Sequence, residues 1–218
     1  MKTLIAVPCH DQVDALFARS LAQLVRVGDT EVEFRIGTLI PFARDILAGK
    51  ALQNNFDFIL WLDADMVFSP DLMIRLSSHM TSGLDLVTGI YHQRRPPYAP
   101  VIYRTLREPE TDGERITEQY LDYPKDKLFE IEGCGFGGCM MRTSVIPRIM
   151  DEHKALFSMM QGVGEDLSFC CRARKSGVRM WADPTIQMGH RGYLVSDWEQ
   201  FEAWKAIEKA QKEQTTQE

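Results

Sequence analysis

The chain has 218 residues, of which 44% are apolar and 26% are charged, the proportions of an ordinary globular protein. This length is enough for one sizeable hydrophobic core, so we predict a single domain over residues 1–210 and a polar, frayed tail over 211–218. The net charge of -6 argues against broad electrostatic binding to nucleic acid or to an anionic membrane surface.

The amino terminus and the cysteines indicate the cellular compartment. Met1 to Pro8 contains one lysine and an apolar run of strand length, and no cleavage-like segment follows, so we expect no secretory signal. No apolar run is long enough to span a membrane. The five cysteines are an odd number in spacings that fit no standard zinc site, and we expect them to be reduced thiols. These features predict a cytoplasmic protein.

The first half of the chain alternates between strand and helix patterns. Strands are predicted over residues 3–7, 32–40, 58–62 and 84–91. Helices are predicted from an N-cap at Asp11 to Gly28, over 42–53 with Ile46, Leu47, Ala51 and Leu52 on the buried side, and from a capping Ser69 to Thr81. Short connections in this order predict right-handed crossovers and a mostly parallel sheet.

The second half is less regular. Residues 104–128 are polar and without a clear period, which indicates a weak hairpin or a surface insertion, and residues 128–141 read as two strands around a glycine-dense turn. That turn is consistent with close approach of backbone to a ligand and equally with a packed β-bulge. Helices are predicted over 143–153, over 162–177 and from Ser196, and short strands over 178–182 and 185–188 are separated by a turn at Asp183-Pro184.

Two carboxylates follow the most apolar strand. Phe58 to Leu62 is an unbroken apolar run, which predicts a strand buried on both faces. Asp63 and Asp65 come next, and their spacing in an extended segment points both side chains the same way. Ligands of open α/β sheets bind beyond the carboxyl ends of strands, and two oxygen ligands there suit Mg²⁺ or Mn²⁺ and hence a diphosphate. The alternative is that Asp63-Ala64-Asp65 is a polar turn before the next helix.

The other candidate functional groups also have purely structural explanations. They are Arg94 and Arg95, the glycines between Gly133 and Gly138, the pair Glu165 and Asp166, and His190. Arginines in a proline-rich loop are usually solvated, and an acidic pair at a helix start usually interacts with the helix dipole. A lone histidine after a strand is more often a hydrogen-bonded core residue than a ligand. The order of these groups along the chain carries more information than any one of them.

In that order, the sequence resembles the nucleotide-sugar-dependent glycosyltransferases of the GT-A fold, especially small bacterial and phage members of the large inverting group. The matching segments are 5–8, 43–45, 58–65, 87–91, 164–172, 183–184 and His190, and together they span most of the chain. One departure is Asp45, where the family often has asparagine. The resemblance implies a three-layer α/β/α sandwich with a mostly parallel central sheet and a Rossmann-like nucleotide-binding half.

The resemblance also implies a role for each matching residue. Asp65 and His190 would bind Mn²⁺ or Mg²⁺, with Asp63 near the ion or the ribose. Asp166 is the preferred general base and Glu165 the second choice, because adjacent helix positions are about 100° apart and only one carboxylate is expected to face the reacting centre. The remaining predicted substrate contacts are Pro8, Cys9, His10, Arg44, Ala64, Arg94, Gly135 and Gly137.

The implied activity is metal-dependent transfer of a sugar, with inversion, from a UDP- or GDP-linked donor to an acceptor hydroxyl. The acceptor would be a carbohydrate or another hydroxyl compound, and the acidic net charge disfavours nucleic acid. A sugar-phosphate nucleotidyltransferase is one alternative, although such enzymes normally have a glycine-rich basic loop after the first strand, and Pro8 to Gln12 contains neither glycine nor lysine. A non-catalytic nucleotide-sugar-binding module is the other, and it would need neither the base candidate nor the metal-ligand candidates.

Overall fold

The computed structural model describes residues 1–107, 117–160 and 162–192. Its strands are β1 (Lys2–Cys9), β2 (Asp29–Ile36), β3 (Phe58–Leu62), β4 (Met66–Val67), β5 (Leu86–Ile90), β6 (Ile102–Leu106), β7 (Thr117–Gln119), β8 (Phe129–Ile131), β9 (Gly133–Cys134), β10 (Gly138–Arg142), β11 (Met180–Gln187) and β12 (Gly189–His190). Its helices are α1 (Ala15–Gln23), α2 (Ile40–Gln53), α3 (Leu72–Thr81), α4 (Val145–His153) and α5 (Glu165–Lys175).

A seven-stranded sheet in the order β2-β1-β3-β10-β5-β11-β8 forms the centre of the fold. The pairs β1 with β2, β1 with β3 and β5 with β11 are parallel. Strand β10 runs antiparallel between β3 and β5, and β8 runs antiparallel to β11 at the edge. The predicted mostly parallel sheet is confirmed. Two small sheets, β12-β4 and β7-β6-β9, lie beside it.

Strand β3 shows how the sequence produces the three layers. All five of its residues are buried, as their unbroken apolar run predicts. Ile59 and Trp61 join the core beneath α2, α4 and α5, whereas Leu60 and Leu62 join the core beneath α1 and α3. Because successive side chains of a strand point to opposite faces, this one strand contributes to both cores and fixes where its carboxyl end lies.

In the first half of the chain, three helix predictions were wrong at their starts. Helix α1 is capped by Asp14, not Asp11, since the Asp14 carboxylate accepts the Leu16 amide at 2.7 Å. Helix α2 begins at Ile40, because Pro41 occupies the first turn, where no amide donor is needed, and does not stop a strand. Helix α3 begins after an N-cap at Asp71, and Ser69 lies before it.

Other differences arise from packing. On α2, the predicted core residues Ile46 and Leu52 are 45% and 36% exposed, and Arg44 is buried in their place.

Strand β11 runs through Asp183-Pro184 with a register shift, so the two predicted strands are one bulged strand. The polar segment contains the antiparallel hairpin β6-β7. The predicted helix from Ser196 and the tail lie outside the described residues.

None of the helices in the described part of the chain combines the length and the apolarity that crossing a membrane requires.

Candidate active site

A buried arginine joins the segment after β3 to the first turn of α5. Arg44 is 2% exposed and lies on α2, where its guanidinium donates to the Asp63 carboxylate at 2.9 Å and to the Glu165 carboxylate at 3.0 Å. The guanidinium also lies over the rings of Phe136 and Phe157, 5.2 and 5.9 Å from their centroids. Its planar fork allows two carboxylates to bind at once. Arg44 therefore brings together two acidic groups that are far apart in the sequence.

The two carboxylates at the start of α5 have different surroundings. Glu165 is bound to Arg44, whereas Asp166 accepts a 2.7 Å hydrogen bond from the Leu167 amide and takes part in no ion pair with another described residue. Burial raises the pKa of Asp166 to about 6, with Glu165 and Asp63 adding to the rise and Arg44 opposing it. A half-buried carboxyl with a pKa in this range is suited to accept a proton at neutral pH.

The second carboxylate of the Asp-Ala-Asp segment lies in a different group of side chains. The Asp65 Oδ2 atom accepts a hydrogen bond from Arg94 at 2.7 Å and lies 3.6 Å from His190 Nε2. His190 is held from its other side, because its Nδ1 atom lies 2.9 Å from the His92 carbonyl oxygen. Burial raises the pKa of Asp65, but contact with His190 and Arg94 lowers it, and the net shift is downward. Asp65 is thus kept ionised.

His190 lies in β12 and not in an open loop. Its backbone pairs with Met66 in β4, and Gly189 pairs with Val67. The His190 ring also packs edge-on against Tyr91, with ring centroids 5.3 Å apart. Both sequence interpretations of this histidine therefore have a counterpart in the structure, since one ring nitrogen is tied to a carbonyl and the other faces Asp65.

The glycine-dense turn packs beneath Tyr91. The Gly137 amide donates to the Tyr91 hydroxyl at 3.2 Å, and the Gly137 carbonyl accepts the Asp63 amide at 3.3 Å. A Cβ atom on Gly135 would lie 1.9 Å from the Tyr91 hydroxyl oxygen. These glycines thus support Tyr91, which in turn supports His190, and the predicted contact of Gly135 and Gly137 with a sugar stays a prediction.

Gly135→Ala is expected to destabilise the protein by roughly 2–3 kcal/mol, because the added methyl group overlaps the buried Tyr91 hydroxyl and the tyrosine has to shift. Urea unfolding measures this change. Gly49→Ala is the matched control, since a Cβ on Gly49 meets nothing within 4 Å and this glycine lies inside α2. Alanine there is expected to stabilise by up to about 1 kcal/mol. Equal stability of the two variants would contradict the packing described for Gly135.

The remaining predicted contacts border the same edge of the sheet. Pro8 and buried Cys9 end β1, and exposed His10 follows, its carbonyl accepting the Gly37 amide at 2.8 Å. The Ala64 carbonyl accepts the Asp14 amide at 2.9 Å. Asp45, the departure from the family pattern, accepts the Phe157 amide at 3.1 Å, which is a structural role.

Sequence reasoning missed several residues that complete this region. Asp14 caps α1, and its second carboxylate oxygen accepts from Arg191 at 3.3 Å, while the Arg191 amide donates to the Asp65 carbonyl at 2.9 Å. Tyr91 directly follows β5, is buried, and packs against His190. The position of Arg191 directly after His190 was the available signal, whereas nothing local marks Asp14 or Tyr91.

Asp65 and His190 fit a divalent cation. Within the described ranges, no cluster of three or more His, Cys, Asp or Glu side chains has the arrangement of a metal site. Mg²⁺ and related ions, however, often take one or two protein ligands and complete their shell with phosphate oxygens and water. A carboxylate oxygen and a neutral imidazole nitrogen are acceptable to Mn²⁺, and the His92 carbonyl orients the imidazole as supporting groups do in metal sites.

Comparison with known proteins shows the fold. No protein-family model and no curated protein matches the sequence. Among solved structures, the chain is similar to the viral protein A197 from STIV, with 18% identity and a TM-score of 0.59 over 90% of this chain and 97% of that chain. It is also similar to GalNAc-T7 crystallised with UDP, GalNAc and Mn²⁺, with 11% identity and a TM-score of 0.57.

That second similarity covers 91% of this chain but 45% of the GalNAc-T7 chain, so this chain spans less than half of that protein. Both likenesses are at low sequence identity and establish architecture only. They agree with the layers and the sheet described above. The chain thus has a GT-A-like α/β fold, similar to that of a glycosyltransferase.

Proposed function

We propose that this protein is a metal-dependent glycosyltransferase that moves a sugar, with inversion, from a nucleotide-sugar donor to an acceptor hydroxyl. The observation that carries this proposal is the Arg44 bridge, which joins Asp63, directly after β3, to Glu165, the neighbour of the candidate base Asp166. The presence of UDP, GalNAc and Mn²⁺ in the similar GalNAc-T7 structure supports a UDP-linked donor.

In this proposal, the two groups of side chains have separate tasks. Asp65 and His190 would hold the divalent cation, which when bound supplies charge neutralisation at the leaving diphosphate. Asp63, fixed by Arg44, would lie toward the ribose or the ion. Pro8, Cys9 and His10 would border the nucleotide base at the end of β1.

Proton transfer would fall to Asp166. Glu165 forms an ion pair with Arg44, so the two candidate bases are no longer equivalent. The Asp166 carboxylate would accept the proton of the acceptor hydroxyl while the acceptor oxygen attacks the anomeric carbon from the face opposite the diphosphate. The bond between the anomeric carbon and the diphosphate oxygen would break at the same time, and the nucleoside diphosphate would leave with the bonding electrons. A pKa of about 6 leaves this group mostly ionised at neutral pH and still basic enough to take a proton.

Asp65→Asn tests the donor side of this proposal. The amide keeps the shape of the side chain but removes its charge, so the affinity for UDP or GDP in the presence of Mn²⁺ is expected to fall about tenfold or more. Titration calorimetry with each nucleotide, with and without Mn²⁺, measures the change. Unchanged Mn²⁺-dependent affinity in Asp65→Asn would remove Asp65 from the site. Failure of the unmodified protein to bind or hydrolyse any nucleotide sugar would contradict the proposed function as a whole.

A further inference from the structure

We propose that the Arg94 guanidinium and a divalent cation compete for Asp65, and that the displaced guanidinium then binds the diphosphate of the donor. This inference rests on the proposed function. Arg94 donates to Asp65 Oδ2 at 2.7 Å, and this is the same oxygen that lies 3.6 Å from His190 Nε2. The arginine therefore binds the atom that a metal ion would need.

His190 and Arg94 meet at the same carboxylate oxygen. The His190 ring is held from its other side, where Nδ1 lies 2.9 Å from the His92 carbonyl oxygen, and its Nε2 atom lies 3.6 Å from Asp65 Oδ2. A divalent cation bound to His190 Nε2 and to Asp65 Oδ2 would occupy the side of the carboxylate that Arg94 now contacts. Its positive charge would repel the guanidinium, so the cation and the arginine would exclude each other.

The arrangement of the backbone allows Arg94 to leave by side-chain rotation alone. The Gln93 amide donates to the Ala99 carbonyl and the Val101 amide to the Tyr91 carbonyl, both at 2.9 Å, so the loop is closed by backbone hydrogen bonds. Gly192 packs against the Arg94 backbone, since a Cβ there would lie 3.3 Å from the Arg94 carbonyl oxygen. The Arg94 side chain itself is 48% exposed.

A guanidinium that rotates about a fixed backbone stays close to Asp65. The diphosphate of a donor that shares the cation with Asp65 would lie within the same small region. Arginine recognises phosphate oxygens through two parallel hydrogen bonds, so a displaced Arg94 would gain a partner as it loses one. Arg94 would thus neutralise Asp65 in the empty protein and contact the donor in the loaded one.

The first test measures Mn²⁺ alone. Electron paramagnetic resonance of free Mn²⁺ gives its affinity for the unmodified protein and for Arg94→Gln, without nucleotide. Removing the competing charge is expected to tighten Mn²⁺ binding on the order of two- to fivefold, the strength of an exposed ion pair. Arg95→Gln is the matched control, because Arg95 is adjacent and exposed. Its backbone carbonyl accepts the Tyr98 amide, and the substitution leaves this hydrogen bond in place. Its Mn²⁺ affinity is expected to match that of the unmodified protein.

The second test measures UDP and GDP at saturating Mn²⁺. Arg94→Gln is expected to bind the diphosphate about tenfold more weakly, opposite in sign to its effect on Mn²⁺, because a charged hydrogen bond to phosphate is lost. Arg94→Lys retains the charge and is expected to recover part of this loss. If the ion pair between Arg94 and Asp65 were purely structural, Arg94→Gln would not raise the affinity for Mn²⁺ and lower the affinity for the diphosphate.

The possible outcomes separate this inference from the proposed function. Mn²⁺ affinities that are the same in Arg94→Gln and Arg95→Gln, or Mn²⁺ binding by none of the proteins, would overturn the competition. Tighter Mn²⁺ binding by Arg94→Gln together with no nucleotide binding by the unmodified protein would support the competition and contradict the glycosyltransferase proposal. Tighter Mn²⁺ binding with unchanged diphosphate affinity would overturn the second role of Arg94.

Discussion

Asp166→Asn is expected to transfer sugar between about a hundred and ten thousand times more slowly than the unmodified protein, the usual cost of losing a positioned general base. Its affinity for UDP with Mn²⁺ is expected to change less than about twofold, since Asp65 and His190 are untouched. Comparison of single-turnover transfer rates with calorimetric affinities separates the two effects. Glu165→Gln, which retains Asp166, is expected to be less impaired in transfer. An active Asp166→Asn together with an inactive Glu165→Gln would show that Glu165, and not Asp166, is the general base.

The pH dependence provides an independent check of the same residue. Burial raises the pKa of Asp166 to about 6, and the base works only when it is ionised. The value of kcat/KM for the unmodified protein is therefore expected to rise with pH through about 6 and then level off. The residual rate of Asp166→Asn is expected to lack this step. An unchanged step in Asp166→Asn would show that another group titrates.

The features that the sequence predicts well are local ones. The apolar run of β3 and the abrupt charge at Asp63 and Asp65 predict a buried strand and a polar segment at its end, and the strand is confirmed residue by residue. The end of α5 near Ser176-Gly177 also follows from a local signal, a glycine after the last turn, whereas its start is at Glu165 and not at the predicted Gly162. The acidic pair of its first turn was still recognised as a helix start. The placement of Glu165 and Asp166 at the start of this helix was thus predictable.

Long-range partners were not predictable in the same way. Arg44 lies in an amphipathic-looking helix, where a charged side chain is expected on the solvent face, yet it is buried between carboxylates 19 and 121 residues away. Ile46 and Leu52 have the residue types of a core, but they face outward because Arg44, Leu47 and Ala51 occupy the buried face. Similarly, the contact of Arg94 with Asp65 depends on how the loop after β5 folds back over the strand ends.

The supporting function of the glycine-dense turn also depended on tertiary structure. Both ligand contact and internal packing were compatible with its sequence. The structure shows a reason for internal packing, since Tyr91, directly after β5, needs the space above Gly135 and the amide of Gly137. A glycine indicates close approach by some group, but only the fold identifies that group as a tyrosine of the same chain.

Arg44→Met is expected to reduce the free energy of unfolding at neutral pH by roughly 3–5 kcal/mol, the cost of removing one partner from a buried ion pair. Methionine preserves much of the side-chain volume, so the loss would come mainly from Asp63, Glu165 and Asp166, which are left without their shared cation. Arg44→Lys is expected to recover only part of the stability, because an ammonium is a single point charge and cannot reproduce the forked contact. Urea unfolding measures both variants, with Arg95→Met as the exposed control.

The deficit of Arg44→Met is also expected to depend on pH in a defined direction. Arg44 lowers the pKa of Asp166, so its removal should raise that pKa above its present value of about 6. The folded protein would then hold a proton that the unfolded chain releases at about pH 4, and its stability would fall as the pH rises from about 4 through 6 and beyond. The deficit relative to the unmodified protein should therefore be largest at the alkaline end and shrink toward pH 5. A loss of stability equal to that of Arg95→Met, or a deficit that grows toward acid pH, would show that Arg44 does not hold these carboxylates together.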